Sequence, residues 1–237
     1  MRRDMRGGPG GHTVCGMETL PLFPLGTVLY PGLVLPLHIF EARYRRLVAD
    51  LLELPEPRRF GVIAIREGRE TGVGGVSALY DVGCTATVRE VTELPSGEYD
   101  ILTVGTDRFR LKRVDDSRAY LSGEVELLPE PVGDQATAAL AARVVHSGFR
   151  RYLNTLADRG AAEVSVPGLP EEPVLLSYIV AASVIADLPV KQGLLAQPDA
   201  ARRLAAERSL LARETAMLRE LGSIPQPDLR SSPYSQN

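Results

Sequence analysis

The sequence predicts an α+β fold: a small closed or nearly closed β-sheet with one inserted helix, followed by a bundle of three helices. Three observations predict it. Between Glu18 and Leu128, short apolar runs of strand length recur at close spacing with turn residues between them. Just beyond Pro36, and nowhere else in that half, apolar residues fall three and four apart. After Gly133, β-branched alternation gives way to segments rich in alanine and arginine that keep a helical period.

Residues 1–17, rich in Gly and Arg and without periodicity, are expected to be a disordered leader, with Met17 a candidate alternative start. The β-rich part is expected over 18–130. Pro21, Pro24, Gly26, Pro31, Gly32 and Pro36 forbid helix in its opening and break it into short strands. Phe40, Tyr44, Leu47, Val48, Leu51 and Leu52 then form the apolar face of a helix that Pro55 and Pro57 stop. Phe60 to Ile65 reads as a buried strand, Gly68 to Gly75 as a mobile loop, and Val82 to Leu94 as a half-buried alternating strand. Pro95-Ser96-Gly97 makes a hairpin connection to Glu98–Val104, Gly105 breaks that run, and Phe109–Leu111 resumes it. Tyr120 to Leu128 supplies a further strand.

The helical part is expected over 134–221. Leu140, Val144, Val145, Phe149, Tyr152, Leu153 and Leu156 share one stripe of its first helix. A second helix opens with Pro173 in its first turn, and a third opens with Asp199 as N-cap. In the third, Leu204, Leu211 and Leu218 recur at heptad spacing, more suited to packing within the chain than to an intermolecular coil. Residues 222–237 have the composition of a disordered tail.

Composition narrows the function classes. A formal charge of −3 and a pI near 5.7 give no global positive field to draw nucleic acid or anionic lipid. The longest apolar stretch, Val174 to Val190, contains Ser177, Ser183, Asp187 and Pro189 and reads as a buried helix, so no membrane association is expected. Cys15 and Cys84 make no disulfide framework, and no apolar signal core follows the first arginines, which together suggest the cytoplasm.

No convincing active site emerges. Lys112 and Lys191 are the only lysines, and neither follows a glycine loop of the kind that holds phosphates. His12 and Cys15 are half a metal site at best, while His38 and His146 read as satisfied, partly buried imidazoles. Cys84 reads as a small core residue. Asp115-Asp116 and Glu171-Glu172 are solvated turn charges, and Asp107 is placed to fix a turn. No catalytic residue, cofactor or metal is expected.

A family likeness rests on three motifs in order. The proline-punctuated segment LPLFPLGTVLYPGLVLPLHIFEARYRRLVADLL (Leu20–Leu52) comes first. VGCTATVREVTELPSGEYDILTVGTDRFRLKRV (Val82–Val114) follows, containing Val104-Gly105-Thr106-Asp107-Arg108. The helical VAASVIADLPVKQGLLAQPDAARRLAAERSLLARETAMLREL (Val180–Leu221) completes the set. Together these resemble the substrate-binding N-terminal domain of Lon proteases over residues 18–221. The resemblance implies a PUA-like pseudo-barrel plus a helical bundle, acting as a recognition surface for polypeptides without the ATPase and Ser-Lys peptidase of the full protease. Implied partners are unfolded or partly folded polypeptides and an ATP-dependent protease that would receive them.

The candidate peptide-binding residues are Leu22, Phe23, Leu29, Tyr30, Leu33 and Phe40, large apolar groups in proline-rich connections that turns bury poorly. A competing reading takes RNA as ligand, with Arg108, Phe109, Arg110 and Arg113 contacting phosphates and a base. A third reading is a scaffold for a specific protein partner.

Overall fold

The computed structural model describes residues 17–68, 76–159, 168–220 and 235–236. In chain order the elements are β1 (Met17–Leu25), β2 (Val34–Ile39), α1 (Ala42–Leu52), β3 (Arg59–Gly68), β4 (Val76–Leu79), β5 (Val82–Glu93), β6 (Tyr99–Asp115), β7 (Ser122–Leu127), α2 (Gln135–Asp158), α3 (Pro173–Ser183), α4 (Leu188–Leu195), α5 (Ala200–Glu220) and β8 (Ser235–Gln236). Met17, expected in the leader, belongs to β1, and Ser235–Gln236, expected in the tail, form a short strand. His12, Cys15 and all but Gly68 of the expected glycine loop lie outside the described residues.

The sheet closes. β1 pairs with β3 and β7, β3 with β5, β5 with β6, and β6 with β7, completing a ring. β2 extends it by pairing with the first part of β6, over Tyr99–Val104. β1 changes partner midway, running antiparallel to β7 through Pro21 and parallel to β3 from Leu22. Each half therefore has a side without a ladder, which is where a strand tolerates Pro21 and Pro24.

β6 does not break at Gly105 but runs unbroken for 17 residues. The sequence suggests a break because glycine weakens a strand; the structure needs a glycine there for another reason. A Cβ on Gly105 would lie 2.3 Å from the carbonyl oxygen of Tyr30. Tyr30-Pro31-Gly32-Leu33 forms the approaching turn, closed by Leu33 N–H on the Tyr30 carbonyl at 3.2 Å, with Gly32 at φ +80° as a type II turn demands. Gly32 N–H and Leu33 C=O both bond Gly105, two residues against one, so the turn enters β2 through a bulge.

Asp107 fixes no turn either. It lies in a bulge where Thr106 and Asp107 together oppose Thr85. The Thr85 hydroxyl fills the gap in the ladder, accepting from Asp107 N–H at 2.9 Å and meeting the Thr106 hydroxyl at 2.7 Å.

Inside the barrel, Phe109 packs with Leu20, Leu22, Ile63 and Val125. α1 covers an adjoining core, its Tyr44, Leu47, Val48 and Leu51 meeting Phe23, Leu37, Ile39, Phe60 and Ile101. That is the helical face expected from the sequence, except that Phe40 precedes the helix and stays exposed.

The helical part contains four helices among the described residues, not three. α4 was hidden because its eight residues are too few for a period to show, and Pro189 reads as a connection. The α2 stripe is rotated from the expected one. Ala138, Ala142, Val145, Phe149, Tyr152 and Leu156 face the core, while Leu140 is 66% exposed and Val144 is also on the surface. Small alanines let α2 approach α5, a choice that hydrophobicity alone does not reveal. Leu204 and Leu211 are buried against α2 and Leu218 packs beside them, so the heptad stripe is used within the chain. Asp199 caps α5 as expected, accepting from Arg202 N–H at 2.8 Å. Glu172, read as a solvated turn charge, instead caps α3 by accepting from Val174 and Leu175 N–H.

Candidate functional site

Of the six candidate peptide-binding residues, Leu22, Phe23, Leu29 and Tyr30 are buried and offer no surface. Leu22 and Phe23 alternate between two cores on either side of β1, and Tyr30 joins the core shared with the bundle. Leu33 is half-buried and Phe40 is 39% exposed, so these two remain. Both flank β2, where Val34, absent from the expected set, is 60% exposed. The missed signal was period: Val34 lies on the outward side of an alternating strand that Pro31, Gly32 and Pro36 obscure.

The RNA-contact set fails at its centre. Phe109 fills the barrel, and Arg108 is 2% exposed. Consecutive strand residues point to opposite faces, so with Phe109 inward Arg108 must point outward, and the bundle covers it there. Only Arg110 and Arg113 reach solvent, and Arg113 is paired with Glu124 at 2.6 Å.

Arg108 is instead the centre of the seam between barrel and bundle. Its guanidinium donates to Glu130 at 2.7 Å, to the carbonyls of Leu195 and Gln197 at 2.9 and 2.5 Å, and to that of Pro129 at 3.0 Å. Glu130 also accepts from Arg203 at 2.8 Å and from the Tyr178 hydroxyl. Arg203, fully buried, lies 3.8 Å above the Tyr178 ring and donates to Ser177 at 3.0 Å. Tyr30 donates to the Lys191 carbonyl at 2.9 Å, and Gln192 donates to that of Val82 at 2.7 Å. Burial raises the Tyr30 and Tyr178 hydroxyls well above the usual tyrosine range, so both are donors at any physiological pH.

Next to this network, the Glu207 carboxylate oxygens are buried with no hydrogen-bond partner. Burial holds this carboxyl well above the usual carboxylate range, an effect that Arg203 opposes.

The remaining groups offer structure before chemistry. Burial pushes the Cys84 thiol up, away from the reactive thiolate. The Lys191 ammonium donates to the Ala182 carbonyl at 2.9 Å and Lys112 pairs with Glu126 at 2.6 Å. The His38 ring meets Asp100 at 2.7 Å and Glu98 at 3.4 Å. Among the described residues no cluster of three or more metal-ligating side chains is present, and no helix is long and apolar enough to cross a membrane.

Among the described residues, two apolar surface features bear on binding. One is the strip along β2, formed by Leu33, Val34 and Phe40, with Phe40 stacked on His38 at 6.2 Å between ring centroids. The other is a groove of about 670 Å³ at one end of the bundle, where Leu156, Ile185, Val190 and Met217 line the walls.

Comparison with known proteins agrees with this architecture. Residues 19–213 match the family model described as the ATP-dependent protease La (LON) substrate-binding domain. Lon protease 2 of Syntrophobacter fumaroxidans is 28% identical over 185 residues, covering 77% of this chain and 23% of that protein. Lon protease of Azorhizobium caulinodans is 28% identical over 202 residues, again 23% of its length. The chain thus spans about a quarter of the length of these relatives. Among solved structures, the Lon N-terminal domain protein from Xanthomonas campestris superposes with a TM-score of 0.59 at 26% identity, covering 82% of this chain and 98% of that one. The N-terminal domain of Mycobacterium avium complex Lon protease has the same TM-score at 18% identity and covers 84% of this chain and 98% of its own, a likeness of fold.

Proposed function

The chain belongs to the family of Lon substrate-binding domains, and from that premise we propose that it is a polypeptide-recognition module that binds unfolded or partly folded chains without catalysing a reaction on them. The observation that carries the reading is the exposed apolar pair Val34 and Phe40 beside β2, with half-buried Leu33 next to Val34. A soluble surface that leaves such groups uncovered gains free energy when an apolar segment covers them. The type II turn at Pro31-Gly32 and the bulge at Gly105 hold the strip in one shape, so little conformational entropy is lost on docking. Its small size favours weak, permissive contact over selection of one sequence. In the cytoplasm such a module would act as an adaptor that presents clients to an ATP-dependent protease.

The test uses reduced, carboxamidomethylated α-lactalbumin, a permanently unfolded probe, with binding read by fluorescence anisotropy. The Val34→Asp/Phe40→Asp variant should lose most of its affinity while keeping the parent's circular dichroism and unfolding midpoint. Unchanged binding by that folded variant sinks the assignment of the site. Burial of Arg108 and Phe109 removes the core of the RNA-contact set.

A further inference from the structure

Among the barrel strands β2 pairs only with β6, so its other side is a sheet edge. The direction of its backbone groups follows from the bond that Gly105 N–H donates to Leu33 C=O. In an antiparallel pair every second residue faces the partner. Leu35, Leu37 and Ile39 therefore turn their N–H and C=O groups toward β6, and Val34, Pro36 and His38 turn theirs away. Pro36 costs the ladder nothing, since its missing N–H is on the open side. That side offers the N–H groups of Val34 and His38 and the carbonyls of Val34, Pro36 and His38. The exposed Val34 and the His38–Phe40 stack stand beside it on the outer face.

The edge is not bare. β8 runs parallel to it, with Ser235 opposite Leu37 and Gln236 opposite His38. Among the described residues this pairing is two residues long, far below what holds a strand on its own, and it reaches only Leu37 and His38.

We infer that the outer edge of β2 is a strand-addition site for an extended polypeptide, and that residues 235–236 of the same chain fill it in cis as a displaceable stand-in. The inference rests on the polypeptide-recognition reading above and specifies how that site binds. Main-chain bonds give sequence-tolerant affinity, and Val34 and Phe40 add a preference for apolar side chains at alternate positions. A tethered occupant competes at high effective concentration, so only clients longer or more apolar than the stand-in displace it.

The experiment compares three forms of the full chain with the unfolded α-lactalbumin probe. Deleting 222–237 should raise probe affinity by about threefold or more, because the tethered competitor is gone. The His38→Cys/Gln236→Cys variant, whose new cysteines are register partners, should form a disulfide under mild oxidation. Once bridged it should bind at least about tenfold more weakly than when reduced, a difference set by blocking the edge. Probe binding that ignores both deletion and bridge overturns the inference while leaving the recognition reading intact. No binding by any form overturns that reading and the inference with it. If the deleted form self-associates in light scattering and leaves the probe free, the edge takes a second copy of the chain, which also overturns the proposal.

Discussion

The barrel–bundle seam and the β2 edge solve opposite problems with similar parts. At the seam, polar groups are buried and nearly every one is paired: Arg108 alone bonds Glu130 and three carbonyls. At the edge, backbone polar groups and apolar side chains face outward, and a two-residue strand is their only described cover. A buried charge network is costly to disturb because a partner left alone cannot recruit water. An open edge gives up little when its cover leaves, because water replaces it. The seam therefore makes barrel and bundle one unit, while the edge keeps a surface free to exchange partners.

The sharpest way to break this contrast is at Arg108. Arg108→Ala should destabilise the chain by about 3–5 kcal/mol, since it leaves the carbonyls of Leu195, Gln197 and Pro129 without their donor and takes one of three partners from Glu130; urea unfolding gives the value, and a loss under about 1 kcal/mol would mean water enters and heals the gap. Next in size is Gly105→Ala. Its new methyl group meets the Tyr30 carbonyl at 2.3 Å, which is backbone and cannot swing aside. A cost of about 1–3 kcal/mol is expected in the same assay, with weaker probe binding by the folded molecules, because the turn that holds the Val34 end of β2 is displaced.

Glu207 sharpens the comparison through pH. Its carboxyl is raised in the folded state, so the native chain holds a proton that the unfolded chain releases above the ordinary carboxylate range. Its contribution is thus fully present below about pH 4.3, the unfolded value, and falls as pH rises toward the folded one. Glu207→Gln keeps the shape and removes the titration. Its melting temperature should exceed the parent's at pH 7–8, and the two should converge toward pH 4. A variant less stable than the parent at pH 8 would show that the ionised form has a partner. The smallest stability effect is expected at the edge, where Val34→Thr/Phe40→Ser should move stability by no more than about 0.5 kcal/mol yet weaken probe binding several-fold.

Legibility in the sequence differed between these regions for physical reasons. The strand hairpin at Pro95-Ser96-Gly97, the α1 face and the Asp199 cap were readable because each depends on neighbours within a few residues. The interior of the proline-rich opening was not. Leu22 and Phe23 looked exposed because prolines suggest loops, yet β1 changes partners and so buries both of its faces. Arg108 looked like a surface cation for the converse reason: alternation turned it outward, and what covers the outside of β6 is decided by helices about ninety residues further on, at Leu195 and Gln197.

By itself the sequence determined the α+β class, the passage from a strand-rich half with one helix to a helical half, and the family, since these rest on local periods, turn chemistry and three ordered motifs. Tertiary structure alone decided which apolar groups stay at the surface and which charges are enclosed. Exposure is a property of the whole packing: alternation turns Val34 and Arg108 alike to the outer face, and only what folds back over that face leaves the first exposed and encloses the second.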